Sequence, residues 1–258
     1  MAAVDVELHV EGSGAETIVM VHGWPDTWRL WDSQVEALKG RYRCVRYTLP
    51  GFDRATPRRA YPLGELLEHL KGVVEQYCPT GRAILMLHDW GCVLGYDFAM
   101  RHPQLVSRIV GVDIGDPASW RRSATAREKF LALAYQVWLA LAWMIGGGLG
   151  DWMTRALARL AKCPSDAAAA NSGMNYPYFL LWFGSRESFR GQLHRFKPPC
   201  PILFIYGRRK LIQFHARSWA DELRNDPANR VEEFDTGHWV MSELPERFNQ
   251  VVGSWLAR

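Results

Sequence analysis

The stretch AILMLHDWGC, Ala83–Cys92, decides the fold that this sequence predicts. It begins with a short apolar run, Ala83–Leu87, which has the length and composition of a buried parallel strand. The run stops at the tetrapeptide HDWG, His88–Gly91, and a helix-like segment follows it. The pattern therefore predicts a strand, a tight turn and a helix, with Asp89 at the apex of the turn.

An aspartate at this apex has two interpretations. It is either a nucleophile presented by the turn or an N-cap at the start of an ordinary helix. Gly91 fits the first interpretation, because a side chain at that position would collide with a tight turn. Leu87 is larger than the small residue that such a turn prefers two positions before the nucleophile. The remainder of the chain decides between the two.

Composition narrows the class of protein. A chain of 258 residues is one large domain, or one domain that carries an insertion. With 22% charged and 48% hydrophobic residues it is typical of a globular protein, and a net charge of +4 is too small to indicate nucleic-acid binding. The five cysteines have no CxxC spacing, and the first residues, Met1–Gly12, lack the basic start and apolar core of a signal peptide. We therefore expect a cytoplasmic protein with reduced thiols, no metal site and no cofactor.

Apolar runs that predict strands alternate with segments that predict helices. The predicted strands are Val4–Val10, Thr17–Val21, Arg43–Leu49, Ala83–Leu87, Ile109–Val112, Pro201–Tyr206 and Val231–Phe234. Helical patterns follow most of them, which favours a parallel sheet with right-handed crossovers. From about Ser119 to Lys197 only helix-like and loop-like sequence occurs. The chain is thus predicted to be an α/β protein with a helical insertion between two strands.

Four short motifs, in this order and spacing, carry a resemblance to a known family. They are HGWPD at His22–Asp26, LPGFD at Leu49–Asp53, HDWG at His88–Gly91 and GHWVMSELPE at Gly237–Glu246. Together the motifs resemble the α/β-hydrolase fold, in particular its epoxide hydrolase and haloalkane dehalogenase branch. The resemblance implies a core formed by residues 1–117 and 199–258, a mostly parallel sheet flanked by helices, and a helical cap at residues 118–198.

The same resemblance assigns roles to single residues. Asp89 would attack carbon and form an ester, and His238, just after the last strand, would activate the water that hydrolyses it. The backbone N–H groups of Trp24 and Trp90 would form the oxyanion hole, with Pro25 shaping the first loop. A single histidine is more often structural, and only its place in the motif favours His238.

The sequence offers more than one position for the third catalytic residue, the acid that would orient His238. Relatives often carry an acid in a G-x-x-D pattern after the strand equivalent to Pro201–Tyr206, but here that position is Lys210. Some dehalogenases of this fold place the acid after the strand that follows the helix predicted to begin just after His88–Gly91. That position matches Asp113, with Asp116 as the second candidate, although an aspartate at a strand end is often only a turn residue.

The class of substrate depends on residues other than Asp89, His238 and the candidate acid. Trp24 stands where many dehalogenases have a halide-binding Asn, which favours an epoxide opened to a diol. The resemblance implies tyrosines in the cap that protonate the opening alkoxide. Tyr176 and Tyr178 match one position and Tyr135 is a candidate partner, although packing is an equal alternative. A hydrolytic dehalogenase and a catalytically weak ligand-binding relative stay open as alternatives, and we expect a small lipophilic organic substrate.

One stretch of the insertion, Phe130–Gly150, has no charged residue and approaches the length of a membrane span. Gln136 and three successive glycines weaken that interpretation, as does its place inside a globular insertion. We expect a buried helix or helix pair that lines a lipophilic cleft, without stable insertion into a membrane. The oligomeric state stays open.

Overall fold

The structure is a computed structural model that describes residues 6–185, 189, 192 and 194–258. Its described strands form one seven-stranded sheet in the order β1-β3-β2-β4-β5-β6-β7. The strands are β1 Leu8–Glu11, β2 Thr17–Val21, β3 Arg43–Tyr47, β4 Ala83–His88, β5 Val106–Val112, β6 Ile202–Gly207 and β7 Arg230–Phe234. The predicted α/β-hydrolase fold, with its mostly parallel sheet, is confirmed.

All adjacent strands are parallel except β1, which runs antiparallel to β3. Val21 of β2 pairs with Leu87 of β4, and Leu87 pairs with Gly111 of β5. Parallel strands in this register bring their carboxyl ends to one edge of the sheet, where sites of open α/β sheets lie. Of the predicted edge strand, residues 4 and 5 lie outside the described residues.

Helices cover both faces of the sheet, which explains why β2 and β4 are buried throughout. The helices are α1 Asp32–Leu38, α2 Leu63–Tyr77, α3 Trp90–Arg101, α4 Pro117–Ser123, α5 Ala126–Ile145, α6 Gly147–Leu160, α7 Tyr176–Phe183, α8 Arg217–Arg224, α9 Val240–Glu243 and α10 Pro245–Leu256. In β4 the side chains alternate between the two faces, so that Leu85 and Leu87 join one core cluster while Ile84 and Met86 join the other.

Between β5 and β6 the described residues form the helices α4 to α7 and no strand. Helix α5 begins with a capping box, in which Thr125 and Glu128 each bond the other's backbone N–H. Helix α6 follows after a single residue, Gly146 at φ 65°. The predicted division into a core and a cap at residues 118–198 stays a prediction.

The expectation of a buried helix at Phe130–Gly150 was wrong in one respect. A helix pair forms there, but in the most apolar 18-residue stretch of α5 only 22% is buried. Phe130, Met144 and Leu149 are more than half exposed. By length and composition α5 could cross a membrane, although core helices of soluble proteins can be equally long and apolar. No other helix among the described residues is long and apolar enough to do so.

Candidate active site

Strand β4 and helix α3 meet in a sharp turn at Asp89. The backbone of Asp89 has φ 52° and ψ −119°, which is strained for a residue with a side chain. Its carboxylate does not cap α3, so the N-cap interpretation from the sequence does not describe this turn. The turn instead projects the carboxylate from the edge of the sheet at the start of a helix, as in a nucleophile elbow.

Two glycines allow the loop after β2 to approach this turn. A Cβ atom at Gly91 would lie 2.2 Å from the carbonyl oxygen of Val21. A Cβ atom at Gly23 would lie 2.3 Å from Asp89 Oδ1 and 2.4 Å from the backbone nitrogen of Trp90. Any side chain at either position would separate the loop from the turn. The glycines therefore set the distance between Asp89 and the backbone of the first loop.

The first loop directs a backbone N–H at the carboxylate. The Trp24 N–H donates a hydrogen bond of 2.6 Å to Asp89 Oδ1, and the Trp24–Pro25 peptide is cis. The second backbone N–H beside this carboxylate is that of Trp90, which follows Asp89 directly and is the first residue of α3. The indole N–H of Trp24 points elsewhere, because it donates to Asn175 Oδ1 at 2.7 Å.

His238 stands between two carboxylates. Its Nε2 atom lies 3.6 Å from Asp89 Oδ2, and its Nδ1 atom forms a short hydrogen bond with Asp113 Oδ2. The other oxygen of Asp113 accepts from Lys210 Nζ at 2.5 Å and from the N–H of Gly207 at 3.2 Å. Asp89, His238 and Asp113 are thus brought together from β4, the loop after β7 and the end of β5.

Charge sets the protonation of these groups. Burial lowers the pKa of His238, but the charges of Asp113 and Asp89 and their hydrogen bonds raise it to about 9. Burial acts to raise the pKa of Asp113, yet Lys210 and His238 outweigh it and hold that pKa below its ordinary value. The pKa of Asp89 is also lowered, since His238 and the Trp24 N–H outweigh the effect of burial. The resting site therefore contains two carboxylates and an imidazolium at neutral pH.

Asp116, the second candidate for the acid, has another role. Its carboxylate accepts from the backbone N–H groups of Ala118 and Ser119 and so caps α4. The same carboxylate accepts from the N–H of Phe196 at 3.0 Å. All these contacts are structural, and none involves His238.

A cavity of about 330 Å³ opens above Asp89. Its walls are mainly apolar and aromatic, and Asp89, Trp90, Tyr135 and Tyr178 line it. The ring of Tyr178 stands edge-on to those of Trp90 and Tyr135, at centroid distances of 5.2 and 6.0 Å. Burial raises the pKa of both tyrosines, and the negative charge of Asp89 adds to it, so both hydroxyl groups keep their protons.

Tyr176 does not line this cavity. Its ring is fully buried against Phe52 and Tyr61, and its hydroxyl group has no hydrogen-bond partner among the described residues. The sequence had made Tyr176 and Tyr178 equal candidates for substrate contact. The structure brings only Tyr178 to the cavity, together with Tyr135 from α5.

The other histidines of the motifs support the loops. His22 donates from Nδ1 to the Gly23 carbonyl and accepts at Nε2 from the Leu49 N–H, both at 2.9 Å. His88 donates from Nε2 to the His238 carbonyl at 3.1 Å. Burial lowers the pKa of His22 to about 4 and of His88 to about 3, so both are neutral. Among the described residues no group of three or more His, Cys, Asp or Glu side chains could hold a metal ion.

Sequence reasoning missed Asp26, the last residue of the HGWPD motif. Asp26 is buried, accepts from the indole N–H of Trp239 at 2.9 Å and receives a short hydrogen bond from Ser165. Burial raises its pKa to about 6. Asp26 thus connects Trp239, the residue after His238, to the loop that carries Trp24. Its position in the HGWPD motif was the feature of the sequence that could have indicated this role.

The fold and the strained carboxylate turn define an α/β hydrolase, and a family comparison agrees. Residues 18–251 match the model of the alpha/beta hydrolase family, so the chain belongs to that family. Sequence relatives include epoxide hydrolase B of Mycobacterium tuberculosis, 34% identical over 101 residues, and epoxide hydrolase 1 of Caenorhabditis elegans, 28% identical over 123 residues. These matches cover 38% and 45% of this chain but only 28% and 30% of those proteins, so the chain matches less than a third of their length.

Solved structures share the fold over nearly the whole chain. The epoxide hydrolase of Bacillus megaterium in complex with an inhibitor superposes with a TM-score of 0.77 at 20% identity, covering 99% of this chain and 98% of that one. An ancestral haloalkane dehalogenase has a TM-score of 0.71 at 17% identity, with coverages of 100% and 97%. At such identities the likeness concerns the fold alone.

Proposed function

We propose that this protein hydrolyses epoxides to diols through a covalent alkyl ester on Asp89. The observation that carries the proposal is the position of the Asp89 carboxylate relative to a backbone N–H, an imidazole and two tyrosine hydroxyl groups. A backbone N–H holds Asp89 Oδ1, His238 lies 3.6 Å from Oδ2, and two protonated tyrosines line the cavity above. Its sequence relatives in M. tuberculosis and C. elegans are epoxide hydrolases, which supports the same substrate class.

In the first step an oxygen of Asp89 forms a bond to a ring carbon of the epoxide, and the carbon–oxygen bond of the ring breaks. The ring oxygen leaves as an alkoxide and needs a proton. Tyr178 and Tyr135 line the cavity and keep their protons at neutral pH. Either can donate to the alkoxide, while the apolar walls hold the lipophilic remainder of the substrate.

Ester formation also prepares the second step. His238 is held as an imidazolium partly by the charge of Asp89, and that charge disappears when Asp89 becomes an ester. The pKa of His238 then falls, and the proton that it releases replaces the one that the tyrosine gave. The neutral imidazole takes a proton from water, which attacks the ester carbonyl. Backbone N–H groups of Trp24 and Trp90 stabilise the oxyanion. When it collapses, the bond between the carbonyl carbon and the alkyl oxygen breaks, and the proton of the new carboxylic acid passes to the departing alkoxide. The diol leaves, with Asp89 again a carboxylate and His238 again an imidazolium.

Displacement of halide is the alternative chemistry for the same nucleophile. A departing halide needs side-chain N–H donors, and Trp90 lines the cavity as one candidate. The second tryptophan of the site does not help, because the indole N–H of Trp24 already donates to Asn175. This contact favours epoxides over haloalkanes. A ligand-binding protein without turnover is the remaining alternative.

A substrate screen separates these activities. Styrene-type, aliphatic and fatty-acid epoxides are tested beside haloalkanes, and diol formation is scored against halide release. The variant His238→Gln keeps the attack but lacks the base, so it should accumulate the ester. Intact-mass analysis should then show one added substrate on the peptide that contains Asp89. Diol release by the variant at the wild-type rate, without any adduct, would contradict the mechanism.

A further inference from the structure

The hairpin formed by α5 and α6 exposes an apolar face that no described element covers. Its exposed apolar side chains are between 38% and 78% accessible to solvent. They are Phe130, Leu133, Trp138, Leu141, Met144 and Ile145 of α5, with Leu149, Trp152 and Leu160 of α6. Soluble monomers rarely expose so many large apolar residues together, and such patches mark interaction sites.

The exposed residues follow the period of a helix. In α6, Leu149, Trp152 and Leu160 are three and eight residues apart and form one stripe. In α5 the exposed side chains fall on a single arc, and no charged residue occurs between Lys129 and Asp151. The outer side of a water-facing helix would instead carry polar residues. This outer face therefore has the composition of a surface that becomes buried in an apolar environment.

The two helices run side by side in opposite directions. The indole N–H of Trp138 donates to the Met153 carbonyl at 3.0 Å, and a Cβ atom at Gly150 would lie 2.4 Å from the Ala142 carbonyl oxygen. The start of α5 and the end of α6 consequently share one end of the hairpin. Six basic residues lie at that end or in the preceding helix α4, with the acidic Glu128 among them. They are Arg121, Arg122, Arg127, Lys129, Arg159 and Lys162. No salt bridge between described residues involves any of these six side chains.

Charge separates this part of the chain from the remainder. Residues 118–198 contain 11 Lys or Arg against 4 Asp or Glu, whereas the other residues contain 20 against 23. A second copy of the chain that covered the apolar face would bring two positive segments together. A bilayer with anionic headgroups offers an apolar layer beneath a negative surface, which complements both features of the hairpin.

We propose that the outer face of the α5–α6 hairpin docks on the surface of an anionic bilayer without spanning it. The apolar stripes would enter the boundary between headgroups and acyl chains, with the basic end beside the headgroups. Leu133 belongs both to the exposed face and to the cavity wall, and Arg121 and Lys129 also line the cavity. The docked face thus adjoins the cavity, so a lipophilic epoxide could pass from the bilayer to Asp89; this consequence alone rests on the proposed function.

Co-sedimentation of the full chain with vesicles tests the docking without any substrate, so its result is independent of the proposed activity. We expect binding to vesicles of three parts phosphatidylcholine to one part phosphatidylglycerol, and at least tenfold weaker binding to pure phosphatidylcholine. The variant Met144→Gln/Leu149→Gln/Trp152→Gln should bind the anionic vesicles about 100-fold more weakly, because three apolar side chains are lost. The control Leu211→Gln removes a side chain that is 79% exposed outside the hairpin and should bind as wild type does.

A second variant separates charge from apolar contact. Arg122→Gln/Arg127→Gln/Arg159→Gln should lower binding to anionic vesicles by about 10- to 100-fold and bring it close to that on neutral ones. Circular dichroism shows that each variant is folded. Wild-type protein that stays in the supernatant with both vesicle types would overturn the proposal. A dimer in sedimentation equilibrium that the Met144/Leu149/Trp152 variant converts to a monomer would assign the face to a second copy and overturn it equally.

Discussion

Lys210 and Asp113 form a buried ion pair, with Nζ 2.5 Å from Oδ1, directly behind His238. The lysine stands where the resemblance places an acid, and it contacts the carboxylate that faces His238 instead. One carboxylate therefore serves two cations, since its other oxygen bonds His238 Nδ1. A cation this close to the site disfavours the charged form of His238. We therefore expect Lys210 to limit the rise in the pKa of His238 that Asp113 alone would cause.

Replacing Lys210 with Met should shift the pH dependence of ester hydrolysis. Without the lysine the imidazolium of His238 is stabilised further, so its pKa rises and the basic form appears only at higher pH. We expect the acid-side limb of the hydrolysis rate to move upward by about one pH unit. The decay of the Asp89 ester, followed by quenched mass analysis across pH, measures this limb. Arg209→Met is the matched control because Arg209 is exposed and pairs with Glu243; equal profiles for both variants would remove Lys210 from this role.

Asp113 is expected to orient His238 and stabilise its charged form. The single variant Asp113→Asn leaves Lys210 buried without a counter-charge, which costs about 3–5 kcal/mol of stability. The double variant Asp113→Asn/Lys210→Met avoids that cost. It should still form the ester on Asp89 but hydrolyse it about 10³–10⁴-fold more slowly, as when a triad loses its orienting acid. Single-turnover kinetics measure the two steps separately.

Asp116→Asn provides the comparison for this variant. Asp116 caps α4 and makes no contact with His238, and Asn keeps one acceptor oxygen for the cap, so hydrolysis should stay within about threefold of wild type. If the double variant at positions 113 and 210 hydrolysed the ester as fast as Lys210→Met alone, Asp113 would be only a turn residue.

The tyrosines should separate epoxide opening from other chemistry. Tyr178→Phe or Tyr135→Phe should slow formation of the Asp89 ester from an epoxide by about 10²–10⁴-fold, the usual contribution of a general acid. Any turnover of haloalkanes should change little, because halide leaves without a proton. Tyr176→Phe is the control, since it removes a buried hydroxyl group that has no partner among the described residues. Equal losses for Tyr176 and Tyr178, or for both substrate classes, would make these residues packing residues.

Much of the site could be predicted because its signals are local. The apolar run before Asp89 and the glycine after it indicate a strand and a tight turn, and the motif around His238 follows the last strand. The pairing of Asp113 with His238 spans 125 positions. The sequence could still predict this pairing, because parallel strands in register end at the same edge of the sheet.

Other features depend on tertiary packing that the sequence does not record. Tyr176 and Tyr178 stand two positions apart at the start of α7, and residues at that spacing point to different sides of a helix. Which of them faces the cavity depends on how α7 is rotated against the core. Helix α5 is apolar on nearly every side, so its sequence lacks the periodicity that would separate a buried from an exposed face.

Buried neutral histidines should make the fold sensitive to acid. Burial lowers the pKa of His22, His88 and His215 to about 4, 3 and 4, against about 6.5 in an unfolded chain. Between pH 6.5 and 4 the unfolded state binds more protons, so the free energy of unfolding falls as the pH falls. Each histidine contributes up to about 1.4 kcal/mol per pH unit. Asp26, with its pKa raised to about 6, opposes the effect of the histidines between pH 4 and 6, because there the folded state binds more protons at this residue. His238, with its pKa raised to about 9, has its effect only above pH 6.5, where the free energy of unfolding falls as the pH rises to about 9.

Two variants should change this acid dependence in opposite directions. His215 packs against Phe204 and Tyr206, and its Nδ1 atom has no hydrogen-bond partner among the described residues. His215→Phe therefore keeps the packing and removes one titrating group, which should reduce the slope by up to about 1.4 kcal/mol per pH unit. Asp26→Asn removes the opposing group and should steepen the slope by a similar amount. Urea unfolding at pH 6.5, 5.5 and 4.5 measures the slopes, and equal slopes for both variants and wild type would show that these burial effects do not control acid unfolding.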